Sequence, residues 1–319
     1  MFGLNFLSSV SKTTTHRKPL FSYRGASKVA GYFGGGDTGV YQSNIDKITF
    51  PADTKTTLSA TLTSARGNLS AMADSGVAGY FGGGYTGSNQ SNIDKIAFPA
   101  DTKTTLSATL TSARRDLAGM ANISVAGYFG GGYTSSAQSN IDKITFPADT
   151  KTTLSATLTS GRYSLAGMAN SGVAGYFGGG NDGSALSGID KITFPADTKT
   201  TLSATLTGIT FQLAGMADSG VAGYFGGGQD GSSVGLSRID KITFPADTKT
   251  TLSATLTTGR YLLAGMANSG VAGYFGGGTD GSLISGIDKI AFPADTKTTL
   301  SATLTSARNN LAAMADSLQ

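Results

Sequence analysis

The chain has no cysteine, no tryptophan and a single histidine, His16, among 319 residues. Glutamate is absent too, so all 20 acidic residues are aspartates. Each absence closes a class of function. Without Cys there is no disulfide framework, no thiolate metal site and no cysteine nucleophile. One His rules out a His-rich metal centre and restricts any Ser-His-Asp triad to His16. No apolar run reaches the roughly 18 residues that a membrane-spanning helix needs, so no membrane insertion is expected. Charged residues make up only 14%, while glycine reaches 46 residues, about twice its usual share. Few long charged side chains and much glycine argue against helices. Hydrophobic residues still account for 39%, enough to bury a core. The length suits one large all-β domain or two ordinary ones.

The net charge of +4 is unevenly placed. Residues 1–30 hold Lys12, Arg17, Lys18, Arg24 and Lys28 and no acid. The remainder carries 19 bases against 20 acids and is close to neutral. A nucleic-acid partner is therefore not expected of the body, because an anionic polymer needs clustered Lys and Arg.

Internal repeats dominate what is present. Gly-Tyr-Phe-Gly-Gly-Gly starts at Gly31, Gly79, Gly127, Gly175, Gly223 and Gly273. Phe-Pro-Ala-Asp starts at Phe50, Phe98, Phe146, Phe194, Phe244 and Phe292. A period of 48 to 50 residues fits a propeller blade of four strands better than a helical repeat. In the copy around Gly175 four strands are expected. Strand A is residues 165–170 (LAGMAN) and strand B is 173–177 (VAGYF). Strand C is 189–194 (IDKITF) and strand D is 202–206 (LSATL), which alternates apolar and polar residues. Pro195-Ala196-Asp197-Thr198 reads as the C–D turn. The small residues of strand A suit a crowded ring centre.

The pattern resembles the kelch repeat. It runs Arg162, an apolar strand, Tyr176-Phe177-Gly178-Gly179, Asp182-Gly183, then Phe194 and Leu202. It departs where Phe replaces the usual Tyr and where Leu58, Leu106, Leu154, Leu202, Leu252 and Leu300 stand for the usual Trp. The near-identical copies are also similar to repeat proteins of tailed phages, of the cyanophage type. The six copies and these resemblances point to an all-β, six-bladed propeller of four-stranded antiparallel blades (kelch-like), with seven blades or an open array as the alternatives, and the tail reads as an extended N-terminal arm.

Ring closure follows from the ends. Residues 311–317 read as a strand A with no strand B behind it, and the first copy begins at strand B. Pairing the two removes exposed edges. Residues 21–27 are a degenerate rival for the same slot. The expected division is an arm over 1–28 and a propeller over 29–319.

Strands and the C–D turn barely vary between copies. Variation gathers in the B–C loops at 37–44, 85–92, 133–140, 181–188, 229–238 and 279–286, and in six residue pairs before strand A. Those pairs are Gly67-Asn68, Arg115-Asp116, Tyr163-Ser164, Phe211-Gln212, Tyr261-Leu262 and Asn309-Asn310. Antiparallel strands put both variable sets on one face of the disc. Two readings stay open: a one-faced binding surface, or duplication followed by loops free to drift. On the first, the ligand-binding candidates are Tyr41, Tyr85, Arg115, Tyr133, Tyr163, Asp182, Phe211, Asp230, Arg238, Tyr261, Asp280 and Asn309. Tyr supplies rigid area, and Asn, Ser and Gly supply adaptable hydrogen bonds. That chemistry suits a glycan or a protein surface.

Candidate catalysis is weak. The three glycines lack a following Lys-Ser/Thr and read as a tight turn, not a phosphate cradle. Asp190 and Asp197 read as structural. Arg66, Arg114, Arg162, Arg260 and Arg308 recur before strand A, with Thr210 breaking the series, and read as braces between blades. No enzyme activity, metal or cofactor is expected. Residues 1–20 begin with Phe2, Leu4, Phe6 and Leu7 and continue with Arg17 and Lys18, without the form of a secretory signal. They read as an arm anchoring the ring to other proteins of a virion. The other function class is a cellular kelch-type protein–protein interaction module.

Overall fold

The computed structural model describes residues 29–317, apart from residue 233. The anchoring residues Phe2, Leu4, Phe6, Leu7, Arg17 and Lys18 lie outside that range, as do residues 21–27. The described chain is all-β: 24 short strands form six separate four-stranded sheets, each antiparallel. The sheets are the blades of a six-bladed propeller. In blade 1, strand A is Ala312–Asp316 from the C-terminal end, and strands B to D are Ala30–Gly34, Ile45–Thr49 and Thr54–Thr57. Ala30 faces Asp316 and Gly34 faces Ala312, so the last strand closes the ring.

One strand differs from the sequence expectation. In blade 4 strands A to C are Ala166–Asn170, Ala174–Gly178 and Ile189–Thr193, but strand D is Thr198–Thr201 and not 202–206. The turn is therefore Phe194 to Asp197, with Thr193 facing Thr198. The alternation in LSATL has another cause. That segment starts the connection to the next blade, and Leu206 drops into the seam between blades beside Tyr176 and Phe225. The Thr-Lys-Thr-Thr strand has no apolar face because it is the outer rim, where polar residues discourage edge pairing.

Strand A lines the axis, and its small residues are required there. A Cβ on Gly167 would lie 2.4 Å from the carbonyl oxygen of Gly119 in the neighbouring blade. The last glycine of the GYFGGG run is also fixed. Gly36 has φ 109, and a Cβ there would meet the Asn309 carbonyl at 2.8 Å.

Each seam repeats the same contacts. Tyr32 of strand B stacks on Phe98 of the next blade at 5.0 Å, worth about 0.5–1.5 kcal/mol beyond its area burial. Its hydroxyl donates to Asp101 at 2.8 Å, and Lys47 reaches the other carboxylate oxygen at 2.6 Å. The sixth seam joins Tyr274 and Lys289 to Asp53 and is built identically. Asp101 also holds φ 56, a conformation Asp tolerates better than most residues.

The connection between blades adds a buried ion pair. Arg66 and Asp94 lie 3.0 Å apart with both side chains fully buried. Burial opposes ionisation of Asp94. The Thr63 hydroxyl and amide, Arg66 and Thr105 together outweigh it and hold the carboxyl below its ordinary range. The recurring arginines are thus braces. In blade 5 Thr210 replaces the Arg, and among the described residues Asp240 keeps only its threonine partners, Thr207 and Thr251, and a distant Lys249 at 3.8 Å.

Candidate functional site

The B–C loops and the connections before strand A meet on one face of the disc. Backbone bridges tie them together blade by blade: Gly67 to Tyr85, Arg115 to Tyr133, Tyr163 to Asn181, and likewise around the ring to Asn309 with Asp37. The variable positions therefore form concentric circles about the axis.

The innermost circle is a collar of six residues: Asn68, Asp116, Ser164, Gln212, Leu262 and Asn310. Each donates its backbone N–H to the carbonyl of the equivalent residue in the preceding blade, at 2.7 to 3.0 Å, and the sixth bond closes the circle. All six hold φ between 54 and 57. Asn and Asp accept that conformation, whereas Leu262 and Gln212 pay a steric cost of about 1–2 kcal/mol. The collar forms the mouth of an axial cavity of about 120 Å³, walled below by Leu263, Leu311 and their equivalents. Sequence reading marked these positions as variable but gave them no role. Their backbone circle about the axis links residues about 48 apart, which no local pattern reveals.

Outside the collar, five of the candidate residues form one continuous arc. Tyr41 meets Tyr85 edge to face at 6.0 Å. The Arg115 guanidinium sits between Tyr85 and Tyr133, at 4.9 and 5.0 Å from the ring centres. Tyr133 meets Tyr163 at 5.2 Å. Asn89, which sequence reading missed, accepts from Arg115 at 3.1 Å and donates to the Thr134 carbonyl at 2.9 Å. Arg115 also pairs with Asp116 at 3.3 Å, so its charge is balanced. Burial first, then Asp37, pushes the Tyr41 phenol above its ordinary range. All five arc side chains are half-buried and fixed by one another.

The other candidates are placed apart from the arc. Asp182, Asp230 and Asp280 each accept from the amide two residues on, so they close their own turns. Among the described residues, Phe211 and Tyr261 make no ring contact with the arc, and Asn309 bridges to Asp37. Arg238 turns inward, where its guanidinium donates to the Thr210 hydroxyl and, at 3.3 Å, to the Gly208 carbonyl. It thereby contacts the residue that stands in for the brace, but among the described residues it makes no ion pair with Asp240.

The seams also explain why the C–D turn does not vary. Its Asp and Phe hold the preceding blade, so that turn is constrained whatever the opposite face does. The contrast between constant turn and variable loop therefore carries no weight by itself. The arc and the collar carry the weight.

The fold and this face define the class: a six-bladed β-propeller repeat protein with an asymmetric, aromatic loop face. Compared with known proteins, no family model matches the chain and no curated protein matches it.

Proposed function

We propose that this propeller is a non-enzymatic attachment component of a tailed-phage virion, such as a tail fibre. It presents its loop face to a glycan or protein on the host surface. The observation that carries this reading is the arc from Tyr41 to Tyr163. Tyr and Arg dominate the energetics of recognition surfaces when they are rigid and partly desolvated. Here five such side chains from four successive blades hold one another in place.

Chain direction supports the orientation. Ala30 pairs with Asp316 at the end of the blade opposite the arc, so residues 1–28 join the ring at Val29 on the far face. That face carries a circle of exposed valines, Val77, Val125, Val173, Val221 and Val271, each 44 to 45% exposed. On this reading the arm that precedes Val29 in the chain, with its apolar Phe2, Leu4, Phe6 and Leu7 and its basic Arg17 and Lys18, docks on the particle. The kelch-like order of Arg, apolar strand and aromatic strand is consistent with an interaction role.

Two deletions of function test the reading. Removing residues 1–20 abolishes incorporation into the particle while the ring stays folded. Tyr133→Ala with Tyr163→Ala lowers adsorption to host cells with the thermal midpoint nearly unchanged. Unchanged adsorption with a folded ring rejects the face, and normal incorporation rejects the arm.

A further inference from the structure

The axial cavity behind the collar is not part of the aromatic arc, and its mouth is chemically two-sided. One side is amide and carboxylate. Asn68 donates to Asp116 at 2.6 Å and to Asn310 at 2.9 Å, and Asn310 donates to Asn309 at 3.1 Å. These bonds fix the three side chains. Among the described residues, the Asn68 Oδ1 receives no donor, and the Asn310 Nδ2 has one hydrogen to spare. The rest of the collar is Ser164, Gln212 and Leu262, its one apolar member, and below it the cavity wall is mostly leucine, alanine and glycine.

Leu262 is the informative residue. Its φ of 55 favours Gly or Asn, which would be the outcome of selection for the backbone alone. A branched apolar side chain held there at a steric cost supplies an apolar surface to the mouth. A volume of about 120 Å³ is slightly below the roughly 150 Å³ of an engineered apolar cavity that takes benzene, so the site accepts a group of a few heavy atoms.

We propose that this cavity is a specificity subsite for the acetamido group of an N-acetylated amino sugar. The amide N–H donates to the Asn68 Oδ1. The methyl group lies against Leu262 at the head of the leucine wall. A plain hydroxyl satisfies the polar side but leaves Leu262 without a partner. The inference rests on the loop face being a recognition surface, with the neighbouring tyrosines stacking on adjoining sugar rings.

The test is calorimetric titration of the full chain with tetrasaccharides of N-acetylglucosamine and of N-acetylgalactosamine, each beside its N-deacetylated counterpart and a glucose tetramer. The expected result is at least tenfold tighter binding of an acetylated member than of its deacetylated partner. Leu262→Gly should erase that preference without lowering the thermal midpoint, because Gly relieves the positive φ. A merely structural Leu262 would leave the preference intact. Equal binding within each pair overturns the subsite. If Tyr85→Ala and Tyr133→Ala then weaken all members alike, the face reading survives that failure. Binding of no member overturns both the subsite and the glycan form of the face reading.

Discussion

Tyr128 of blade 3 donates its hydroxyl to Asp197 of blade 4, 69 residues further on, at 2.8 Å. Lys143 holds the second oxygen of the same carboxylate at 2.6 Å. One aspartate thus clamps two strands of the preceding blade, and the same clamp occurs at every seam. Asp197→Ala leaves a desolvated hydroxyl and a half-buried ammonium without their acceptor. The expected loss is about 1–3 kcal/mol, read as a lower urea midpoint. Asp182→Ala, on an exposed loop, should stay within about 0.5 kcal/mol of the parent. Equal losses in the two variants would refute the clamp.

The same contacts set the pH limits of the fold. Asp46, Asp94, Asp142, Asp190 and Asp288 are held below the ordinary carboxylate range, because hydrogen bonds and an arginine outweigh burial. A depressed carboxylate contributes stability above its unfolded value, about 3.9, and loses it as pH falls below that. Asp74, Asp116 and Asp316 are raised by burial and act in the opposite sense. The five outnumber the three, so the urea midpoint should drop below about pH 4. At the other end, burial and an aspartate partner raise all six seam tyrosines, Tyr32 and its equivalents. Their contribution is complete below the unfolded value of about 10 and is lost as pH rises past it. A midpoint that is flat from pH 3 to pH 11 would contradict both limbs.

Blade 5 offers a test of compensation. Thr210 stands where the other connections carry Arg, and Arg238 stands where blades 4 and 6 carry Gly188 and Gly286. Arg162 donates to the Gly188 carbonyl at 3.1 Å and to Asp190 at 2.7 Å. Thr210→Arg alone removes the hydroxyl that Arg238 donates to and sets a second guanidinium against it, and should destabilise by about 2 kcal/mol. Adding Arg238→Gly should restore most of that loss, because the new Arg can then reach Asp240. A double-mutant cycle by urea denaturation measures the coupling. Additive effects would mean that the two positions do not share a site.

Much of this was legible in the sequence, and the exceptions share a cause. Blade number, ring closure and the small residues of strand A follow from repeat spacing and from where the copies start and stop. Strand D was misplaced because LSATL alternates like a strand, although its leucines fill a seam. The Tyr128–Asp197 clamp was invisible because both residues are identical in every copy and far apart in the chain. Arg238 read as a loop-face residue because variation alone cannot separate recognition from contact with the residue that replaces a brace. The arc was legible residue by residue, but its continuity was not. Tyr85, Arg115 and Tyr133 come from two loops and one connection that the packing of neighbouring blades brings together.

Arg115 is the residue on which the arc turns. Its planar guanidinium lies between the rings of Tyr85 and Tyr133 while its nitrogens engage Asn89 and Asp116. Lys cannot stack in this way or present nitrogens in two directions, so Arg115→Lys is not conservative here. At a partly exposed site each cation–π contact is worth about 0.5–1 kcal/mol, so the fold should lose little. The two tyrosines lose their fixed spacing, however. Binding to the host surface should weaken on the order of tenfold, about 1.4 kcal/mol, in both Arg115→Lys and Arg115→Ala. The thermal midpoint should shift by no more than a few degrees. If Arg115→Lys binds as the parent does, charge matters and not stacking. If Arg115→Ala also binds as the parent does, the arc is not the contact surface.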